Sequence, residues 1–435
     1  MDRAPTSGRS RAERRFRVAP ILLCVAAMLA AASACVPPPP NSVLALGGSS
    51  ISNCALYGNG AVYCWGSNSL GELGRGAVGP DDENPAPVVG LPPVFAITAG
   101  VGDHTCALAT RGIVWCWGSN NLGQLGPTSF SLANPTPIKI PGLDGVASVS
   151  AGKNHTCVTM AVGGGVKCWG SNEDGQLGDG TTSDSKSPVD VVGISGAVKV
   201  AAGGNHTCAM LNDFSVRCWG FGGDGELGNG ARGIGASSSV PVTVVTGVAG
   251  GGVSPLLGVT AISAGLNHTC VIVGSARSGD TVRPAVYCWG LGTDGQLGNS
   301  TNTSSPVAVP AGGLGQSPLA GVTAIRSNWY HTCAAVQQAS STFSLVCWGK
   351  TPGNGSAASN NIRTLVAPFA NLSSVASLTG GFDDSCALVT RSGAVGNAGG
   401  ESDVYCWGNN RERQLGNTGP ITFVPQIVFG LPLFV

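Results

Sequence analysis

The sequence predicts an all-β fold: a seven-bladed β-propeller. Cys-Trp-Gly occurs seven times, beginning at Cys64, Cys116, Cys168, Cys218, Cys288, Cys347 and Cys406. Successive copies lie 52, 52, 50, 70, 59 and 59 residues apart. A period near fifty residues, filled with short strand-like pieces, marks a propeller or a related repeat array, with one copy per blade. Such a ring is a scaffold that hosts many activities, so the repeat says more about fold than about function.

In chain order, residues 1–34 read as an export signal. Arg3, Arg9, Arg11, Arg14, Arg15 and Arg17 form a basic start, and Val18 to Ala32 is an apolar run shorter than a membrane span needs. Ala32-Ser33-Ala34-Cys35 resembles a bacterial lipobox. That resemblance implies cleavage before Cys35 and lipidation of its thiol and new N-terminus; the alternative is an ordinary signal cut after Ala34. Residues 35–42, with Pro37 to Pro40, make a short stiff tether. The propeller is expected over 43–435.

Each repeat carries further text. His-Thr-Cys precedes Cys-Trp-Gly at His104, His155, His206, His268 and His331, whereas the first copy reads Ser52-Asn53-Cys54 and the last Asp384-Ser385-Cys386. Gly-(Gln/Glu)-Leu-Gly follows at Gly71, Gly123, Gly175, Gly225 and Gly295. Blade seven keeps Gln414-Leu415-Gly416, and blade six has Lys350-Thr351-Pro352-Gly353 instead. These blocks resemble the repeat of the regulator of chromosome condensation family. Blade two shows it in full, from Ala99-Gly100 through His104, Ala107-Leu108, Val114, Trp117-Gly118 and Asn120 to Gly123-Gln124-Leu125-Gly126. The resemblance covers 43–435 and implies four-stranded antiparallel blades. The family's founding member is a nuclear guanine-nucleotide exchange factor that binds chromatin. Other members are secreted bacterial proteins, some of which bind and inhibit β-lactamases.

The chain ends complement each other. Pro425 to Val435 repeats the first half of the inter-blade text Pro87 to Gly100, and Val43 to Gly48 supplies the second half. Pairing of the N- and C-terminal strands is therefore expected to close the ring and remove an exposed edge.

Setting aside Cys24 in the signal and Cys35, fourteen cysteines fall two per blade: Cys54/Cys64, Cys106/Cys116, Cys157/Cys168, Cys208/Cys218, Cys270/Cys288, Cys333/Cys347 and Cys386/Cys406. An even count in an exported chain reads as disulfides. In blade two the pair is symmetric about Arg111, which predicts a hairpin with Thr110-Arg111-Gly112 at its tip. Cysteines facing across such a hairpin lie about 4.5–5.5 Å apart at Cα, within disulfide reach. The spacing is too wide for a structural zinc site.

Without residues 1–35 the chain has 17 basic and 21 acidic residues, a net charge of −4. No basic stripe exists to meet phosphates, so nucleic acid is not an expected partner. The glycine-rich turns lack the Lys-Ser/Thr of a phosphate loop. A serine-hydrolase elbow is missing too. No metal or cofactor is expected. The five histidines could form a ring that binds metal or titrates. The Ser52 and Asp384 replacements favour a polar brace, each His bonding its own blade's backbone. The Cys-Trp-Gly tryptophans read as blade-to-blade packing. Trp115 stands where other blades have Tyr, Lys, Arg or Val, which suggests a side chain at least half exposed.

Selectivity is expected where blades differ. The hairpin between paired cysteines spans ten or eleven residues in blades one to four, then 18, 14 and 20 in blades five, six and seven. Blade six also has Asn328-Trp329-Tyr330 before His331. Trp and Tyr are enriched at binding hot spots, so Trp329 and Tyr330 are candidate anchors on the face of the long hairpins, with Trp115 a further exposed aromatic. Gly230 to Pro255 reads as a flexible insertion. The expected function is non-catalytic recognition at the bacterial cell envelope by a lipid-anchored monomer, facing the periplasm or exterior. The expected partner is a protein, with a cell-envelope polysaccharide as alternative. Guanine-nucleotide exchange and cell-wall polymer cleavage are the competing functions.

Overall fold

The computed structural model describes residues 42–431, apart from 99, 130, 248–250, 275–283, 313–318, 339–341, 351–359, 367–371 and 392–401. The blade plan is clearest in blade one, an antiparallel sheet of Val43–Gly48, Ser52–Tyr57, Val62–Gly66 and Asp82–Pro87, running from the axis outward. Blades two to seven repeat it, with inner strands Val94–Ile97, Val146–Ala151, Ala197–Ala202, Val259–Ala264, Val322–Ser327 and Leu372–Thr379. The described helical content is one 3₁₀ turn, Thr110–Gly112, at the expected hairpin tip. Both Arg111 (φ 65°) and Gly112 (φ 72°) are left-handed there.

All seven cysteine pairs are disulfides between directly opposed residues, with Cα atoms 4.0–4.1 Å apart. That is closer than the expected spacing. In blade one the Tyr57 N–H donates to Ala61 O, which by alternation puts Cys54 and Cys64 in a narrow non-hydrogen-bonded pair.

The core is divided among the blade junctions. One cluster joins Cys54, Leu56 and Leu73 of blade one to Val94, Ala107 and Trp117 of blade two. Equivalent clusters occupy every other junction, including that between blades seven and one, where Trp65 packs with Leu388 and Leu415. The seven tryptophans of Cys-Trp-Gly are 0–1% exposed.

The repeated text forms a staple from each blade to the next. Trp169 Nε1–H donates to Gln124 O at 2.8 Å, and Thr156 Oγ1–H donates to the same carbonyl at 2.9 Å. With its proton committed, Thr156 Oγ1 accepts from His104 Nε2 at 2.9 Å. His155–Thr207, His206–Thr269, His268–Thr332 and His331–Ser385 repeat the imidazole contact at 2.6–2.8 Å. Each histidine therefore braces the following blade, not its own as the sequence suggests. Burial pushes His104, His155, His268 and His331 down to about 3 and His206 to about 4. Two motif glycines are steric necessities: a Cβ on Gly203 would lie 2.4 Å from His206 Cε1, and one on Gly178 2.7 Å from Trp219 Nε1.

Two expectations need correction. The terminal strands do not pair with each other among the described residues: Val43–Gly48 pairs with Ser52–Tyr57, and Thr422–Ile427 with Ser402–Gly408. Each blade is contiguous in sequence, so closure falls to side chains and to the loop backbone, where the Phe382 N–H donates to Ser50 O. Asn53 Nδ2 donates to Asp384 Oδ2 (2.9 Å) and Gln414 O (3.0 Å), Trp65 Nε1 donates to Gln414 O (3.0 Å), and the Leu46 N–H donates to Ser377 Oγ (2.9 Å). About half of the described part of Gly230 to Pro255 is strand. It holds the outer strand Ser238–Thr243 and a hairpin of Val245–Gly247 with Val253–Pro255, which adds to blade five through Thr246 beside Ala308. Its alternating valines supply the strand pattern.

Candidate functional site

In every blade the loop from the inner to the second strand opens on one mouth of the central channel. The residue two before each His position is Ser50, Gly102, Lys153, Gly204, Leu266, Trp329 or Phe382. Among the described residues, backbone hydrogen bonds link these loops at six of the seven junctions, all but that between blades two and three. Ser50 N–H reaches Gly102 O, Lys153 N–H reaches Gly203 O, and Gly204 N–H reaches Leu266 O. Leu266 N–H reaches Asn328 O, Trp329 N–H reaches Gly381 O, and Phe382 N–H reaches Ser50 O. The Trp329 Nε1–H crosses the mouth to Val101 O of blade two at 2.6 Å.

Trp329 stands in an aromatic group. Its ring centroid is 4.5 Å from Phe382 and 6.0 Å from Tyr330, and Tyr330 is 5.6 Å from Phe382. Lys350 Nζ lies 4.7 Å from the Tyr330 centroid and 3.8 Å from Asp383 Oδ2. Burial raises the Asp383 carboxyl above the usual range, against the pull of Lys350. Trp329, Tyr330, Phe382 and Lys350 are all half-buried. The patch thus offers aromatic edges and one cation to the outside, on a base fixed by backbone bonds. Sequence reasoning found Trp329 and Tyr330 but missed Phe382 and Lys350. Aligning the repeats on the His column would have shown Phe382 in the Trp329 column of the next blade.

The structure separates features that the sequence reading put together. His331 pairs with Gly349 and Gln337 with Phe343, so the long hairpin of blade six leaves the end of the sheet opposite Trp329. Six residue steps place the two ends about 20 Å apart. The same register holds in blades five and seven. The hairpin tips at 275–283, 339–341 and 392–401 lie outside the described residues, as do Cys35, the signal and most of the tether. Trp115 is less than half exposed, short of the at-least-half exposure expected from its column. Its indole packs on the cluster between blades one and two, and its strand neighbours are Ala107 and Lys139. It does not meet Trp329.

A ring of four-stranded blades stapled by a buried Trp and His-Thr pairs defines a repeat propeller whose variable residues sit on its faces. The chain belongs to the family of the RCC1-like domain, whose model matches residues 43–431. It is 29% identical to the ultraviolet-B receptor UVR8 of Arabidopsis thaliana over 86% of this chain and 78% of the receptor. It is 35% identical to the probable E3 ubiquitin-protein ligase HERC3 of Homo sapiens, over 36% of this chain and only 15% of that protein. The chain therefore corresponds to a small part of that ligase. Among solved structures, yeast RCC1 (Prp20) bound to Kap60 is similar in fold, with a TM-score of 0.65 and 22% identity over 84% of this chain and 83% of that one. Human WBSCR16 gives a TM-score of 0.68 at 20% identity, over 85% of this chain and 94% of that one.

Seven disulfides, with no free cysteine among the described residues, fit an oxidising, non-cytosolic compartment. No helix among the described residues is long and apolar enough to cross a membrane.

Proposed function

We propose that this chain is an exported bacterial lipoprotein, anchored through Cys35, whose propeller recognises a protein partner at the cell envelope. The carrying observation is the aromatic group at the channel mouth. Trp329, Tyr330 and Phe382 pack as one unit beside Lys350, on loops that backbone bonds hold in place. Rigid aromatic anchors beside a cation suit protein recognition, because little side-chain entropy is lost on docking. The family supports the same reading, since yeast RCC1 is described in complex with Kap60. The export signal and lipobox resemblance support the envelope setting, and the disulfides agree with it.

The test begins with capture from the cell envelope by the full chain. Tyr330→Ala/Phe382→Ala is then compared with wild type and with Val162→Ala, a 91% exposed residue on a hairpin of the opposite face. Truncating such an anchor costs about 2–4 kcal/mol, some thirtyfold or more in Kd. Unchanged affinity for the folded double variant would remove the mouth as the docking face. Cys35→Ser should move the protein from the detergent phase to the aqueous phase with the propeller intact. Equal partitioning of variant and wild type would end the lipoprotein reading.

A further inference from the structure

The channel beneath Trp329 carries two cations that the scaffold does not explain. It encloses about 210 Å³, lined by Ile97, Thr98, Ser150, Lys199, Ser263 and Arg326 among others. The lining contains no carboxylate. Aligned by strand register, the Arg326 position is Gly47, Ser150, Ala201, Ser263 and Thr379 in other blades. The Lys199 position is Ala45, Ala96, Ser148, Ala261, Ala324 and Ser377. Small residues suffice to line the channel, and one blade each departs to a long cation.

Neither cation is satisfied by the protein. The ion pairs among the described residues involve neither side chain. The Lys199 ammonium makes no hydrogen bond among the described residues. Arg326 Nε–H donates to Asn328 Oδ1 at 3.2 Å, its Nη2 lies 3.5 Å from Gly100 O, and Nη1 is left over. Burial and the neighbouring guanidinium hold the Lys199 ammonium below the usual lysine range, and burial brings Arg326 down to about 10. The charge of Asp384 reaches Arg326, but that carboxyl is bonded to Asn53 and pushed up to about 7 by burial. Lys199 is exposed, as expected of a side chain projecting into an open channel.

Hydroxyl donors complete the lining. Ser150 Oγ accepts from Ala202 N–H, Ser263 Oγ from Ser327 N–H, and Thr98 Oγ1 from Cys106 N–H, at 2.8–3.0 Å. None of the three has a protein acceptor for its own proton, so each can donate into the cavity. Two like charges with donors, and no carboxylate in the lining, focus a positive potential on the cavity. Arg and Lys with hydroxyls are the donor set for oxyanions.

We propose that the central channel is a binding site for a small tetrahedral oxyanion of the phosphate or sulfate class, held between Lys199 and Arg326 with Thr98, Ser150 and Ser263 as further donors. The site lies beneath the recognition face and is independent of that reading. The test is calorimetric titration of the full chain with inorganic phosphate at ionic strength matched with chloride. One saturable site is expected, with sulfate competing for it. Lys199→Met, which removes no protein hydrogen bond, should weaken phosphate about tenfold or more, and Arg326→Lys should retain most of the affinity. Phosphate also stabilises proteins generally, so the thermal readout is the difference in phosphate-induced Tm shift between wild type and Lys199→Met. No saturable phosphate binding by wild type, or equal affinity and equal Tm shifts in Lys199→Met, would overturn the site.

Discussion

Blades two to six and the seam from blade seven through blade one to blade two solve the same joining problem with different chemistry. In the regular arc, a buried imidazole pairs with a hydroxyl of the next blade. It donates where the threonine proton is committed to a carbonyl, as at Thr156, Thr207 and Thr332, whereas Asn328 Nδ2–H makes His331 Nε2 an acceptor beside Ser385. At the junction of blades seven and one, the His position is Asp384 and the Thr position is Asn53. The polarity is reversed there: Asn53 donates to Asp384 while still donating to Gln414 O, as threonine does in Thr156, Thr207 and Thr332. At the junction of blades one and two the brace is missing. Ser52 bonds Ser49, and the buried Thr105 hydroxyl has no partner. Ser50 Oγ instead donates to Asp103 of blade two. What recurs, also at the junction of blades one and two, is a carbonyl that holds the Trp indole, and the polar pair above it is made in the arc and between blades seven and one. The residue types are interchangeable if the donors and acceptors still match.

The largest effect that separates arc from seam is pH dependence. The five imidazoles bind protons far more weakly folded than unfolded, so their stabilisation is complete above about 6.5 and is lost as pH falls from there towards about 3. Burial raises Asp384 and Glu72 at the seam to about 7, and Glu226 in blade four of the arc to about 8, which gives the opposite sign. Their contribution is complete below the ordinary carboxyl range and is lost as pH rises through 7 to 8. Stability measured by denaturant titration should therefore peak near pH 6.5, at the unfolded imidazole value. Asp384→Asn with Glu72→Gln and Glu226→Gln should flatten the alkaline side and steepen the rise between the ordinary carboxyl range and pH 6.5. A profile whose alkaline side is the same in that triple variant would break the distinction.

A smaller effect compares a stapled tryptophan with an unstapled one. Trp169→Ala empties a fully buried site and removes one of the two donors to Gln124 O, at a cost of about 3–5 kcal/mol. Half-buried Trp115→Ala should cost less than half of that. Equal losses in chemical denaturation would mean that the staple adds nothing to packing.

The smallest is a swap at the seam. Asn53→Thr with Asp384→His rebuilds the arc's brace, whereas Asp384→His alone sets an imidazole against an amide donor. The double variant should be more stable than the sum of the single changes predicts, by about 1–2 kcal/mol. Additive losses would show that the seam's geometry, and not only its chemistry, differs from the arc.

Much of this was legible in the chain. Spacing located seven blades, the cysteine pairs, the hairpin tip at Arg111 and Gly112, and the burial of seven tryptophans, because these are local patterns repeated in register. The direction of the histidine brace was not legible, because His104 and Thr156 come together only when two blades meet. The placement of Trp329 opposite the long hairpins was within reach, since strand polarity alone puts them at opposite ends. The exposure of Trp115 was misjudged because Lys and Arg in that column bury their stems while keeping their heads in water.

The sequence by itself determined the blade. Its periodicity, turns and disulfides are set by residues close together in the chain, where pattern and geometry nearly coincide. The tertiary structure alone decided what the ring does with its exceptions. Arg326 and Lys199, in different blades, share one channel, and Trp329 of blade six reaches Val101 of blade two. A closed ring brings every inner strand to a common axis, so residues far apart in sequence become neighbours there for reasons that no local pattern contains.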